Sequence, residues 1–387
     1  MAKILDWLEI GWVVVSFAVA PLHVFPSGMP QPGDLLLFGW ALLSIFRGLP
    51  RLRLPRESLR AIGPLVMLLA YMALWNGVWF AIRADVSTGL HVLYYLFNLM
   101  VVLGVVSAWA RGIGQRSLVA GVVAGLIGCL ASIPFYYDSG SARNALGFNN
   151  PNQLGYFSLL LCVGFVMLAE RREGAWRWLE VGCLAGGLAL VAISNSKAAV
   201  VALVWLILFR SLRSARLALG LTLVVGAMVL LWGAGEGSQV QRSRDRVASI
   251  GRDHDDSIEG RGYDRIFRHP EYLLIGAGEG GADRFAVLPG REFELHSSWG
   301  TLAFSYGVAG MVLFVLFVSR IARRGWRVLG YLLPLGLYGL THQGLRESLF
   351  WIVLCIAALK IEERVPDGSR VRVERGPRIG TEAATSA

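Results

Sequence analysis

The sequence predicts an all-α, polytopic membrane protein: about twelve transmembrane helices, with one large loop between the ninth and the tenth. Three observations predict it. Hydrophobic residues fill 55% of the 387 positions and charged ones only 17%, where a soluble domain carries about 25% charged residues; mean hydropathy is +0.54. The apolar residues come in blocks of roughly 15–22, the length a helix needs to cross a bilayer core. The basic residues alternate from loop to loop.

Taken in order, the apolar blocks fall near 10–25, 34–46, 61–80, 88–108, 117–136, 152–169, 177–193, 198–209, 216–232, 297–318, 328–341 and 348–359. The first has no small-residue cleavage site behind it, so it reads as a retained span and not a signal peptide. Some blocks are short enough to be half-helices. Residues 1–232 therefore form nine spans, 233–296 the loop, 297–359 three more spans, and 360–387 a basic, polar tail of disordered composition.

One set of alternate loops holds 17 arginines, among them Arg47, Arg60, Arg111, Arg177, Arg210 and Arg320, whereas the other short loops hold only Arg83, Arg143, Lys197 and Arg346. Short loops rich in Lys and Arg stay in the cytoplasm. The asymmetry predicts cytoplasmic termini and an extracytoplasmic 233–296 loop. It also accounts for the net charge of +10 without nucleic acid. Cys129, Cys162, Cys183 and Cys355 all lie in apolar blocks without CxxC spacing and read as small hydrophobes, not as metal or redox sites.

The 64-residue loop carries nine arginines and twelve acidic residues. Its pattern predicts one helix near 239–250 and another from about Arg261 to His269, stopped before Pro270. On the second, Arg261, Arg265 and Arg268 are spaced to share one helical face. Guanidinium groups gathered in this way suit phosphate oxygens; local pairing with Asp264, Glu271 or Glu259 is the plain alternative. His296 stands where the tenth span begins, beside Glu294 and Ser297. An interfacial histidine can accept a hydroxyl proton, or it can merely bond the loop.

Lys197 follows Ser194-Asn195-Ser196 at the outer junction of two spans. Arg143 precedes Asn149-Asn150-Pro151-Asn152, where Asn152 is a candidate helix cap. Arg83 and Arg346 have acidic sequence neighbours, Asp85 and Glu347. His342 reads as a packing histidine that can line the same cavity. Gly276, Gly278 and Gly281 match GxGxxG, but that pattern needs a βαβ setting, which this loop does not offer. Asp253-His254-Asp255-Asp256 reads as a solvated acidic run before it reads as a cation site. No inverted repeat is visible, and only the large loop interrupts the apolar pattern.

These pieces resemble the O-antigen ligase and polymerase family of bacterial inner membranes. The resemblance rests on Asn150-Pro151-Asn152 with Gly155, the Ser-Asn-Ser-Lys turn, Gly260-Arg261, His269-Pro270 leading to Gly276-Ala277-Gly278, and His296 followed by Gly300, Gly307 and Gly310. It covers residues 140–350. It implies an inverting, metal-independent glycosyltransferase of the GT-C type, without cofactor. The donor would be a glycan on undecaprenyl pyrophosphate and the acceptor a lipid A core or another glycan. His296 carries over as catalytic and Arg261 as a pyrophosphate contact. Lys197 stands where many relatives have Arg. Arg265 and Arg143 join the expected pyrophosphate set, and Arg268, Asn152, Arg346 and His342 the expected cavity lining. A lipid-linked oligosaccharide flippase or transporter is the alternative of another class.

Overall fold

The computed structural model describes residues 2–26, 29–48, 56–170, 172–214, 218–222, 226, 258, 261–285, 294–323 and 325–360. The helix expected near 239–250, the acidic run at 253–256, most of the span expected at 216–232 and the tail from 361 lie outside them. Among the described residues there is no strand. The helices are α1 (Ala2–Ala18), α2 (Pro32–Gly48), α3 (Arg56–Arg83), α4 (Val86–Ala110), α5 (Gly114–Tyr136), α6 (Pro151–Ala169), α7 (Ala175–Ser194) and α8 (Lys197–Ser211). Two short pieces, α9 (Asp264–Arg268) and α10 (Tyr272–Ile275), precede α11 (Ser298–Ala322), α12 (Trp326–Gly339) and α13 (Ser348–Leu359).

Among the described residues six helices are long and apolar enough to cross a membrane: α3 from Ser58, α4, α5, α6, α7 and α11. The others are shorter. α13 has 12 residues, about 18 Å at 1.5 Å per residue, shorter than a hydrocarbon core of about 30 Å. It is apolar on every side and every residue is buried, as a helix without a polar face must be. With α6, also buried almost throughout, it makes the centre. α13 packs on α3, α4 and α6; α1 packs on α2 and α5; α3 packs on α4 and α11; α12 packs on α8. Large apolar side chains on the rim, such as Val201 and Leu208 on α8 and Val312 and Leu316 on α11, are exposed. Such a surface suits lipid.

Local chemistry sets the helix ends. Asp85 caps α4 by accepting from the Thr88 amide at 3.1 Å and its hydroxyl at 3.0 Å. Asn150 caps α6, its side chain accepting from the Gln153 amide at 3.0 Å, with Pro151 in the first turn. Asn195 ends α7 in the left-handed region at φ 49, which asparagine tolerates. Ser297 caps α11 by accepting from the Gly300 amide at 3.0 Å.

Arginines of the basic loop set tie helices together at one end of the bundle. The fully buried Glu9 takes Arg47 at 2.6 Å and Arg111 at 2.7 Å. The equally buried Glu180 takes Arg177 at 3.0 Å and Arg210. Removing one partner of such a pair leaves a buried charge uncompensated, which is costlier than the pair is stabilising.

The other end carries the polar residues, and there α11 is broken. Gly307 stands at φ 58, ψ −160 inside it, a region reserved for glycine. The break frees carbonyls, and each finds a donor: Ala277 N–H to Phe304 at 2.8 Å, Gly278 N–H to Ser305 at 2.9 Å and the Tyr71 hydroxyl to Tyr306 at 3.0 Å. Backbone groups at membrane depth must be satisfied internally. The expectation that only the large loop interrupts the chain therefore needs correction. A Cβ on Gly307 would lie 2.7 Å from the Leu274 carbonyl oxygen and 2.8 Å from the Gly276 nitrogen. Gly307→Ala should lower stability by about 2 kcal/mol or more, read as thermal unfolding in detergent. Gly63→Ala, with open space around it, should leave the transition unchanged.

Candidate active site

The polar end is built from the α3–α4 junction, the loops before α6 and α8, the 261–285 segment, the start of α11 and the 340–347 connection. Their hydrogen bonds form two neighbouring groups.

The first contains His296. Its amide donates to the Arg261 carbonyl at 3.0 Å, and its exposed ring places Nδ1 2.7 Å from the Glu294 carbonyl oxygen. A carbonyl only accepts, so in the neutral ring Nδ1 carries the hydrogen and Nε2 presents a lone pair. The Arg261 guanidinium donates to the Thr341 carbonyl, and the Tyr263 hydroxyl donates to that of Leu340 at 2.5 Å. Ser298 donates to the His342 carbonyl through its amide at 3.0 Å and its hydroxyl at 3.1 Å. Together these bonds lock the 340–344 segment to the foot of α11.

Tyr338 carries the chain of contacts onward. Its ring lies between Tyr156, at 4.1 Å, and His342, at 4.7 Å. Its hydroxyl donates to the Asn152 carbonyl at 3.1 Å, and the Asn152 side chain accepts from Arg143 at 2.5 Å. Arg143 also reaches the Ser194 carbonyl at 3.5 Å, and Asn195 donates to the Ala142 carbonyl at 3.4 Å. The turn leading into Lys197 thus rests on the Arg143 loop.

The second group surrounds a small recess that is half open to solvent. Glu279, only 4% exposed, is its hub. It accepts from the Tyr95 hydroxyl, the Tyr306 hydroxyl at 2.6 Å and Arg346 at 3.2 Å, while its own amide donates to Asn76 at 2.7 Å. Arg346 also pairs with Glu294 at 2.7 Å. Burial pushes the Glu294 carboxyl up, but Arg346, His91 and His296 together outweigh it and hold the group below the usual carboxylate range. The same two carboxylates hold the Arg346 guanidinium above its ordinary value against burial. The glycine run places Glu279 here. Gly278 stands at φ 69 with Trp79 so close that a Cβ would lie 2.6 Å from it, and Trp75 and Trp79 both donate to the Gly276 carbonyl at 3.1 Å.

The expected site residues are thereby divided. Arg265 and Arg346 line the recess. His296, Arg261, His342, Asn152 and Arg143 belong to the hydrogen-bonded chain beside it. Arg268 faces out and pairs with Asp264 at 3.4 Å. The shared face expected of Arg261, Arg265 and Arg268 does not form: 261–263 is a turn, and the helix covers only Asp264–Arg268. Arg265 is buried against Phe285, its guanidinium 5.6 Å from the ring, and burial lowers its pKa.

Three local expectations also change. Arg83 pairs with Asp283 at 3.0 Å instead of Asp85. Arg346 takes Glu279 and Glu294 instead of Glu347, whose carboxyl is pushed up to about 7 by burial and by Asp34. Asn150, not Asn152, caps α6. Sequence reasoning missed Glu279, His91, Tyr95, Asn76 and Gln343. The available signal was an ionisable or amide side chain inside an apolar block, as at Asn76 and His91, which by itself marks a functional candidate.

No family model and no curated protein matches this chain.

Proposed function

We propose that the protein is a glycosyltransferase of a bacterial inner membrane. It would move a glycan from undecaprenyl pyrophosphate to a hydroxyl of the lipid A core, as an O-antigen ligase does. The observation that carries this reading is the continuous chain of contacts linking His296 and Arg261 to Arg143 through Thr341, Tyr338 and Asn152. One lone-pair nitrogen and several cations then share one polar face. On the arginine asymmetry, that face lies outside and both termini lie inside.

The chemistry is a single displacement. The acceptor oxygen attacks the anomeric carbon, the bond from that carbon to the pyrophosphate oxygen breaks, and its electron pair leaves with the lipid pyrophosphate. The acceptor proton goes to Nε2 of His296. Arg261, Arg143 and Lys197 offset the charge that develops on the leaving group, and Arg261 can do so with a planar fork that Lys197 lacks. The configuration inverts because one displacement occurs. Cationic side chains fill the role a metal would have, so chelator treatment should leave transfer intact. A loss of transfer would instead point to 253–256 as a cation site.

The same chemistry on another lipid-linked glycan would make the protein an O-antigen or exopolysaccharide polymerase. A deletion strain separates the two. Loss of a ligase leaves long lipid-linked chains, and loss of a polymerase leaves single repeat units; the ligase reading expects the long chains. The broken α11 is the feature that most favours a flippase or transporter, because transport sites use discontinuous helices near the midplane. Against it, the carbonyls of Phe304, Ser305 and Tyr306 are already taken by Ala277, Gly278 and Tyr71.

A further inference from the structure

The recess beside His296 has a composition that the leaving-group chemistry does not use. It sets two carboxylates, Glu279 and Glu294, against two guanidiniums, Arg265 and Arg346. That balance is unsuited to a pyrophosphate and suited to a neutral ligand. Glu279 is saturated with donors, as described above. Glu294 is not: its Oε2 takes Arg346 at 2.7 Å, while His91 Nε2 stands 3.9 Å from its Oε1, beyond a hydrogen bond. Arg346 therefore fixes the carboxylate and leaves one oxygen to accept from a ligand. Thr301 and Gln343, hydrogen-bonded to each other at 3.0 Å, line the same space. Phe285 and Phe304, packed at 5.1 Å, give it an aromatic wall.

A second, independent observation points the same way. His91 is 3% exposed. Its Nδ1 lies 2.7 Å from the Ser87 carbonyl, which makes Nε2 the acceptor of the neutral ring. That nitrogen is buried without a hydrogen-bond partner and is aimed at the two recess carboxylates, 3.7 Å from Glu279 and 3.9 Å from Glu294. A lone pair facing carboxylate oxygens gains nothing from either. Two donor hydroxyls entering beside Glu294 would satisfy both sides, one donating to the carboxylate and the other to the ring nitrogen.

We infer that this recess is a subsite for a neutral, hydroxyl-rich sugar ring, with Glu294, Gln343 and Thr301 as its hydrogen-bonding partners. The assignment rests on the glycosyl-transfer reading and extends it to a second place on the same face. The ring belongs to the acceptor or to the donor glycan, and the chemistry that recognises it is the same.

The test uses the full-length protein in lipid nanodiscs, as wild type and as Glu294→Gln, Gln343→Leu and Thr301→Val, with Thr301→Ser as a conservative control and thermal unfolding as the check on folding. Saturation-transfer NMR with glucose, galactose and N-acetylglucosamine as probes should show binding of at least one sugar to the wild type and to Thr301→Ser. It should show loss in the folded members of the other three. Steady-state transfer then assigns the source. A KM about tenfold higher for the acceptor alone means an acceptor ring, and for the donor alone a donor ring. No sugar signal from the wild type, or equal signals and unchanged KM values in all folded variants, overturns the subsite. Sugar binding by a protein that transfers nothing would retain the subsite and remove the transferase reading instead.

Discussion

Replacing His296 by alanine should lower kcat by about 10²–10⁴-fold, the range a positioned general base supplies, and leave the protein folded. The structure separates the two effects. The ring is exposed, and its one ring hydrogen bond is to a carbonyl two residues away. The bonds that hold the segment belong to the backbone, His296 N–H to Arg261, and to the Ser297 cap; alanine keeps both. An unchanged melting transition with transfer activity close to wild type would remove His296 from the mechanism. A lowered transition would mean that the ring holds the loop.

Arg261→Ala should have the second large effect. Loss of one donor to a developing anion costs about 10²–10³-fold in rate. Here the same guanidinium also holds the Thr341 carbonyl, so a stability loss should accompany it. Arg261→Lys separates the contributions, because it keeps the charge and gives up the planar fork. Activity intermediate between wild type and alanine, at an unchanged melting transition, is the expected result. Equal activity in all three proteins would place the pyrophosphate elsewhere.

Hydropathy located the long helices well. The blocks at 88–108 and 152–169 became Val86–Ala110 and Pro151–Ala169. Composition alone suffices there, because a bilayer-length apolar segment has few alternatives. Short blocks were harder to read: apolar character alone does not separate a helix on the lipid-facing rim from a buried central one such as α13. The break at Gly307 was invisible because the block around it, Ser305 and Tyr306 included, keeps the mean hydropathy of an unbroken span. What allows it is a set of donors from the 276–278 loop and from α3.

The site was legible in residue type and not in pairing. Partners for Arg83 and Arg346 were sought next door, whereas Asp283 lies 200 residues from Arg83 and Glu279 lies 67 from Arg346. The three loop arginines matched a helical spacing, but a helix needs several fixed residues before it gains from its hydrogen bonds, and 261–263 forms a turn instead. The glycine run matched a nucleotide motif in spacing alone. Its physical use is to thread Glu279 between α3, α4 and α11, where Tyr95 and Tyr306 meet it.

The decisive measurement is bond chemistry in a reconstituted membrane. The purified protein in liposomes is given an undecaprenyl-pyrophosphate-linked glycan and a lipid A core acceptor, and both lipid products are separated and weighed by mass spectrometry. The account predicts free undecaprenyl pyrophosphate and an equal amount of glycan joined to the acceptor. Intact donor recovered in the opposite leaflet, with no new glycosidic bond, would contradict it.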